Sequence, residues 1–538
     1  MDMKKLITNI FLGMLFISVL SCNKEETFFS EPYEDGASPL DINIDISAKP
    51  NPEVGEPGTT VTFKVSGMQK YDHAKFRFNG REAEILSISD TEVTVKVPDF
   101  ASTGVISIVV DDKIVFGPKF TVQGVVRIDP TWQAMIGSNG AIRSRFVTPD
   151  GKSIMVGEFT NYNNRGLVRP INRLVRTFQD GMYDVSWSLG LGANGAVNEI
   201  LQYNNHYYIA GSFSGFAQRP NHISNMTRIF LNGVLDTSAH EPFRTLEQLD
   251  TTVFMPTFNG GFNSAVNKIY LDDSNKIIAS GNFRYHISRR YDQPNKTEER
   301  DTVILDSTEI RHVARVLLNG EIDKTFRFDP AGIAFPGGNG NVNTYRHSGG
   351  ELHGKILVYG QFSRFDNKSV GFITRLNADG TIDKSFNNGG TGADYYISHA
   401  SFNIATQKYT IVGSFRNYNG TSSQRIAVLD PDGKLDQNFK AKEFIGGNPN
   451  FAKQLADGKI VVSGGFNSYG GITRSGFMIL DAAGNLIPEL NTTGEFSGTI
   501  SDIFEDKSED NRRALLLIGR FNQFDSQPVG NIIRIILE

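Results

Sequence analysis

The sequence predicts an all-β protein: a small immunoglobulin-like sandwich, then a seven-bladed β-propeller whose ring is closed by an N-terminal strand. Three observations predict it. An apolar run ending in Gly-x-Phe, with an aromatic three residues later, is written seven times, and such self-similarity marks a repeat architecture. A second signature, Asn/Asp-Gly-x-Leu/Ile-Asp-x-x-Phe, follows in most copies, and its Asn/Asp-Gly step is a strong hairpin signal. The last copy lacks this second signature, while a spare half-unit stands ahead of the first copy at Gly124–Trp132. A ring closed by that strand explains both facts, whereas a solenoid would leave two open ends in need of caps.

Residues 1–21 read as a cleaved export signal. Lys4 and Lys5 precede a short apolar run, Ile7 to Leu20, too short to span a bilayer comfortably. Cys22 is the only cysteine of the chain, so neither an intrachain disulfide nor a cysteine-based zinc site is available. The residues Leu20-Ser21-Cys22 resemble a bacterial lipobox, which implies that Cys22 is lipidated and anchors the mature chain. The following Lys24, Glu25 and Glu26 are similar to the signal that sends some lipoproteins to the outer face of the outer membrane. Residues 22–40 are polar and contain Pro, Gly and Ser, as a flexible tether does.

From 41 to 123 the pattern is all-β. Val61–Val65, Lys75–Phe78, Glu92–Val97 and Ile106–Val110 alternate or run apolar, with Asn79-Gly80, Pro98-Asp99 and Asp111-Asp112 as turns. The segments Gly58–Val61, Phe78–Gly80, Ser89–Val93 and Val97-Pro98 resemble the IPT/TIG family of immunoglobulin-like domains, which implies a spacer or docking module.

Residues 124–538 carry the repeats. Gly-x-Phe recurs at glycines 157, 211, 281, 360, 413, 464 and 519. The aromatic that follows is Tyr162, Phe216, Phe365, Tyr418, Tyr469 or Phe524, and the third copy substitutes His286. Regular repetition assigns this set to packing between blades rather than to ligand stacking. Asp323, Asp383 and Asp436 open Asp-x-x-Phe, and Asp184 opens the version ending in Trp187. Asp236 is followed by Ala239, and the sixth copy reads Ile487–Leu490, so these two copies look decayed. Arg176, Arg228, Arg315, Arg375 and Arg534 fall at matching places, which predicts blade-to-blade hydrogen bonding. The repeats resemble the delta-60 propellers of bacterial surface proteins.

Spacing supplies the functional clue. Four of six intervals between Gly-x-Phe glycines are 51 to 55 residues, but those from 211 to 281 and from 281 to 360 are 70 and 79. The excess lies in 240–262 and 285–311, and extra loops on a repeat array often build its binding face. The candidate ligand or partner residues there are Phe243, Phe254, Phe258, Tyr285, Arg289, Arg290 and Tyr291. Asp250-Thr251-Thr252, Asp301-Thr302-Val303 and Asp306-Ser307-Thr308 in or beside these insertions look like glycan acceptor sites of gut bacterial lipoproteins.

A net charge of −5 gives no basic footprint for nucleic acid. The chain has no His-Glu-x-x-His spacing, Gly-x-Ser-x-Gly elbow or phosphate loop, so no catalytic residue, cofactor or metal site is assigned. Asp430-Pro431-Asp432-Gly433 resembles the start of a calcium loop, but Lys434 stands where an oxygen ligand belongs, so a hairpin turn is expected. The resemblances imply a non-catalytic, surface-exposed outer-membrane lipoprotein that binds or presents an oligosaccharide or peptide nutrient. Its partners would be a SusC/SusD-like TonB-dependent transporter complex and other surface lipoproteins. A propeller glycoside hydrolase or lyase, or an adhesive protein-binding lipoprotein, are the alternatives.

Overall fold

The computed structural model describes residues 40–187, 189–217, 219, 221–241, 252–291 and 303–538. The sandwich comes first. One sheet orders Asn43–Ile44, Thr60–Ser66, Glu92–Lys96 and Glu84–Ile88; the other orders Val54–Gly55, Lys113–Val122, Gly104–Val110, Lys75–Phe78 and Arg81–Glu82. Alternation along these strands turns Val61, Phe63 and Val65 from one sheet, and Phe76, Phe78 and Phe120 from the other, into a common core. Phe63 lies 5.0 to 5.8 Å from Phe76, Phe78 and Phe120, so an aromatic cluster joins the two sheets.

Seven blades follow. Their three inner strands start at Ile142–Val147, Ala196–Tyr203, Val266–Leu271, Asn341–Arg346, Ile397–Asn403, Pro449–Gln454 and Ser497–Lys507, and each blade is an antiparallel meander. In blades 1 to 6 the Asp-x-x-Phe segment adds the outer strand through a single bridge, as at Thr177–Tyr183 or Leu429–Leu435. In blade 7 that place is filled from the front of the propeller: Arg127–Ile128 pairs with Ile532–Ile536, Arg127 opposite Ile536 and Ile128 opposite Ile535. The ring closes as the spare half-unit requires.

The repeat signatures are the parts of a clasp between neighbouring blades. In five blades the carboxylate of the signature aspartate accepts from the arginine of the third strand: Arg176 to Asp184 at 2.7 Å, Arg228 to Asp236 at 2.6 Å, Arg315 to Asp323 at 2.7 Å, Arg375 to Asp383 at 2.8 Å and Arg534 to Asp129 at 2.5 Å; in blade 5 Asp436 pairs with Lys408 at 3.1 Å instead. The guanidinium lies over the aromatic three residues beyond the aspartate, 4.8 to 5.4 Å from the ring centre at Trp187, Phe326, Phe386 and Trp132. Each of these arginines thus bonds mainly within its own blade. Arg228, Arg375 and Arg534 also reach a carbonyl of the next blade, at Leu318, Pro431 and Gln179, as the matched spacing predicts. All lie toward the rim of the ring, so they present no charge to the axis.

The aromatic covers the turn glycine of the following blade. A Cβ on Gly181, Gly380 or Gly433 would come within 2.6 to 2.7 Å of Trp132, Phe326 or Phe386, or of their neighbours. In four copies the later ring holds the turn glycine from the other side by a hydrogen bond. Tyr162, Tyr418 and Tyr469 donate to the carbonyls of Gly181, Gly433 and Gly484, and His286 makes the same bond to Gly320 at 2.8 Å. The exceptional histidine therefore does the work of the tyrosine it replaces.

The second copy is split rather than decayed. The hairpin of Thr237–His240 with Val253–Pro256 is inserted directly after Asp236, and the signature resumes beyond it. Thr257 donates to the Asp236 carboxylate at 2.9 Å, as Ser186 and Thr325 do to theirs. Phe258 then takes the aromatic position, 3% exposed in the core shared with blade 3. The Asp430–Lys434 segment is the expected hairpin turn, closed by Gly433 N–H to the Asp430 carbonyl.

Candidate functional site

In such a meander the turns between first and second strands and between third and fourth strands share one face. The other face carries the loops from second to third strand and the connections between blades. Both insertions reach this loop face: the Thr237–Pro256 hairpin leaves the outer strand of blade 2 and meets loop-face residues through His240 against Tyr291 and Met255 against Arg219, and the hairpin of Tyr285–Arg290 with Ile304–Glu309 joins the second and third strands of blade 3. The sandwich docks on the same face. Arg474, in the second-to-third-strand loop of blade 6, donates from both terminal nitrogens to the Phe100 carbonyl at 3.2 Å. Thr103 N–H donates to the Thr492 carbonyl at 2.8 Å, and Phe100 packs against the core of blade 6. Burial in this contact pushes the Arg474 guanidinium down to about 10.

The candidate residues of the insertions divide. Phe254 is 57% exposed, Arg290 is exposed and paired with Asp306 at 2.5 Å, and Tyr285 and Arg289 are half-buried. Phe258 belongs to the clasp described above, which corrects its reading as a loop residue. Tyr291 is likewise corrected: it is 6% exposed, its ring 5.9 Å from His222 and 4.9 Å from His240, where it ties the two insertions together. Hydrophobicity alone cannot separate a ring at a hairpin base from one at its tip. Phe243, Cys22, Lys24, Glu25 and Glu26 lie outside the described residues, as do parts of the Asp250 and Asp301 acceptor patterns.

Sequence reading missed the axial mouth. In six of seven blades the first strand carries a β-bulge close to its start, at Arg143, Asn198, Asn267, Ser398, Asn450 and Ser501. The bulged strand leans onto the second strand where its Gly-x-Phe glycine sits. A Cβ on any of these seven glycines would come 2.0 to 2.4 Å from a first-strand carbonyl oxygen. That close approach is why glycine is required there. The bulge residues, joined by Asn343 of the unbulged blade 4, line a cavity of about 630 Å³ at the axis, opening on the loop face. The signal for it was in the sequence: an apolar residue followed by Asn or Ser, upstream of most Gly-x-Phe copies.

Charges in this mouth are paired. Arg143 bonds Glu158 at 3.1 Å, and Lys268 bonds Glu199 at 2.6 Å. Burial would lower the Lys268 amine, but the Glu199 carboxylate outweighs it and holds it above its ordinary value. His399 donates from Nδ1 to the Ala452 carbonyl at 3.1 Å, and burial pushes it down to about 4, so the ring is neutral near pH 7. A larger basin of about 1430 Å³ lies on the turn face between blades 1 and 7. Three of its five cations are held by carboxylates, Lys152 by Asp184, Arg513 by Asp457 and Arg534 by Asp129, while Arg145 bonds the Ser153 hydroxyl and Lys507 the Asn511 amide oxygen. Among the described residues no group of three or more His, Cys, Asp or Glu could hold a metal ion, and no helix is long and apolar enough to cross a membrane.

Residues 18–118 match the model of a domain of unknown function, DUF5008. Residues 354–386, 408–439 and 455–486, in blades 4, 5 and 6, match DUF5122, a β-propeller domain of unknown function. No curated protein matches the chain. Among solved structures, the WD40 β-propeller domain of Doa1 is similar at 12% identity over 77% of this chain and 97% of its own, with a TM-score of 0.36. An auxiliary nutrient binding protein from Bacteroides thetaiotaomicron is similar at 12% identity over 92% of this chain and 99% of its own, TM-score 0.30. Another from Bacteroides ovatus is similar at 13% identity over 68% and 96%, TM-score 0.20. The chain is thus an all-β protein with a DUF5008 match over residues 18–118 and DUF5122 β-propeller matches in blades 4, 5 and 6.

Proposed function

We propose that this chain is a non-catalytic, surface-exposed outer-membrane lipoprotein that captures or presents a nutrient ligand, as an accessory subunit of a SusC/SusD-like TonB-dependent transporter. Cys22 would carry the lipid, and Lys24, Glu25 and Glu26 would direct the chain to the cell exterior. The sandwich would serve as the IPT/TIG-type spacer. The single observation that carries the reading is the coincidence on one propeller face of both insertions, the polar axial mouth and the docked sandwich. A scaffold that only had to close on itself needs none of these on a common side.

The test is affinity purification of the native protein from detergent-solubilised outer membranes. A TonB-dependent transporter or its lid protein is expected in the eluate. Recovery of the chain with neither would overturn the accessory role.

A further inference from the structure

We propose that the axial mouth binds the end of an uncharged, polyhydroxylated chain, that is, an oligosaccharide entering along the propeller axis. This rests on the ligand-capture reading above and narrows it from oligosaccharide or peptide to oligosaccharide. Three features of the mouth carry it.

The first is the donor and acceptor set. Six of the seven blades contribute an amide or hydroxyl at the matched position: Asn198, Asn267, Asn343, Ser398, Asn450 and Ser501. Asn198 Nδ2 and the Ser398 hydroxyl already donate to the Val266 and Val412 carbonyls, each at 3.0 Å, so these two turn acceptors to a ligand; amides and hydroxyls otherwise both donate and accept, which suits sugar hydroxyls, whose own polarity is free to rotate. The side-chain carbonyl oxygen of Asn450 is buried without a hydrogen-bond partner, an acceptor that a ligand hydroxyl would satisfy.

The second is the field. Lys268 meets Glu199, Arg143 meets Glu158, which it shares with Arg520 outside the lining, and His399 is uncharged, so the lining offers an ionic ligand no cation without a carboxylate beside it. The third is the arrangement. Blades present their polar groups inward around one axis, and a terminal sugar unit, with hydroxyls spread around its perimeter, meets them on several sides. An extended peptide sends its backbone groups to two opposite edges and its side chains to the faces between, leaving part of a radial ring unmet. The cavity volume, about 630 Å³, is within the usual range of small-ligand sites, about 300–1,000 Å³.

The experiment is calorimetric titration of the full mature chain in detergent against maltohexaose, cellohexaose, mannohexaose and xylohexaose, with hexagalacturonate and hexa-alanine alongside. At least one neutral hexasaccharide is expected to bind, and the paired variant Asn267→Asp/Asn343→Asp is expected to weaken it tenfold or more. Ile404→Ala, 60% exposed on the turn face, is expected to leave that binding unchanged. Asn343→Ala replaces the paired variant if the latter loses its thermal transition, with at least a threefold loss expected. Binding of hexa-alanine or hexagalacturonate in preference, binding that the mouth variants do not weaken, or no binding by any neutral hexasaccharide would each overturn the proposal. If any of these occurs while the transporter still copurifies, this inference alone fails. If copurification is lost as well, the capture reading falls with it.

Discussion

Asp383 shows what one residue of the repeat does. Its carboxylate accepts from Arg375 and Lys355 at 2.8 and 2.7 Å and from the Ser385 hydroxyl at 2.6 Å. Burial alone would raise its pKa, but these donors hold it well below the ordinary carboxylate range. Arg375 and Asp383 are only 3% and 5% exposed, so Asp383→Asn leaves a buried cation without its anion. A loss of about 3 kcal/mol in denaturant unfolding is expected; a loss under ~0.5 kcal/mol would remove the clasp from the account. One buried and two half-buried histidines set the pH response. Burial, followed by the charges of Arg375, Lys355 and Arg346, pushes His347 down to about 3, while burial pushes His312 and His399 to about 4. Their unfolded forms protonate near pH 6.5, so between about 6.5 and 4 the unfolded chain binds more protons. This contribution to stability is complete above 6.5 and is lost as pH falls, on the order of 3 kcal/mol per histidine. The apparent Tm should drop across that window, and His347→Gln should flatten the drop; a Tm constant from pH 7 to 4.5 would contradict the assignment.

At the scale of the element, the clasp is an interlocking of one blade's outer strand with the next blade's turn. Gly433 adopts φ 85°, and a Cβ there would lie 2.7 Å from the Phe386 ring. Gly420 adopts φ 76° with open space around its Cβ position. Gly433→Ala should therefore cost roughly 3 kcal/mol and Gly420→Ala roughly 1 kcal/mol, the difference measuring the interblade contact. Equal losses would show that backbone conformation alone requires the glycine. The Gly-x-Phe and Asp-x-x-Phe signatures are legible in the sequence because each encodes a local requirement repeated seven or nearly seven times. The bulges were not read, because one extra residue shifts a strand's register without altering its apolar pattern. The second copy was misread for a related reason. The Thr237–Pro256 hairpin separates Asp236 from Thr257 and Phe258 along the chain while leaving them together in space.

For the whole molecule, the sandwich fixes a direction. Its propeller contacts come from the Phe100–Thr103 end, whereas Asp41 sits at the opposite end beside Lys70 and Tyr71. The Thr60–Ser66 strand runs between these ends, about 3.3 Å per residue along its length. The loop face therefore looks back toward the side on which the chain enters, with the sandwich over blades 6 and 7 and the insertions across the axis at blades 2 and 3. Ring closure was legible in the sequence because a missing strand and a spare one had to match. The docking of the sandwich was not, since Phe100, Thr103 and Arg474 belong to no repeated pattern. The central claim is that the loop face is the working face. Its most direct test is photo-crosslinking in living cells, with benzoylphenylalanine placed at Phe254 on the loop face or at Ile404 on the turn face, sites 57% and 60% exposed. The account predicts a discrete crosslinked partner from position 254 and none from 404; crosslinking from 404 alone would contradict it.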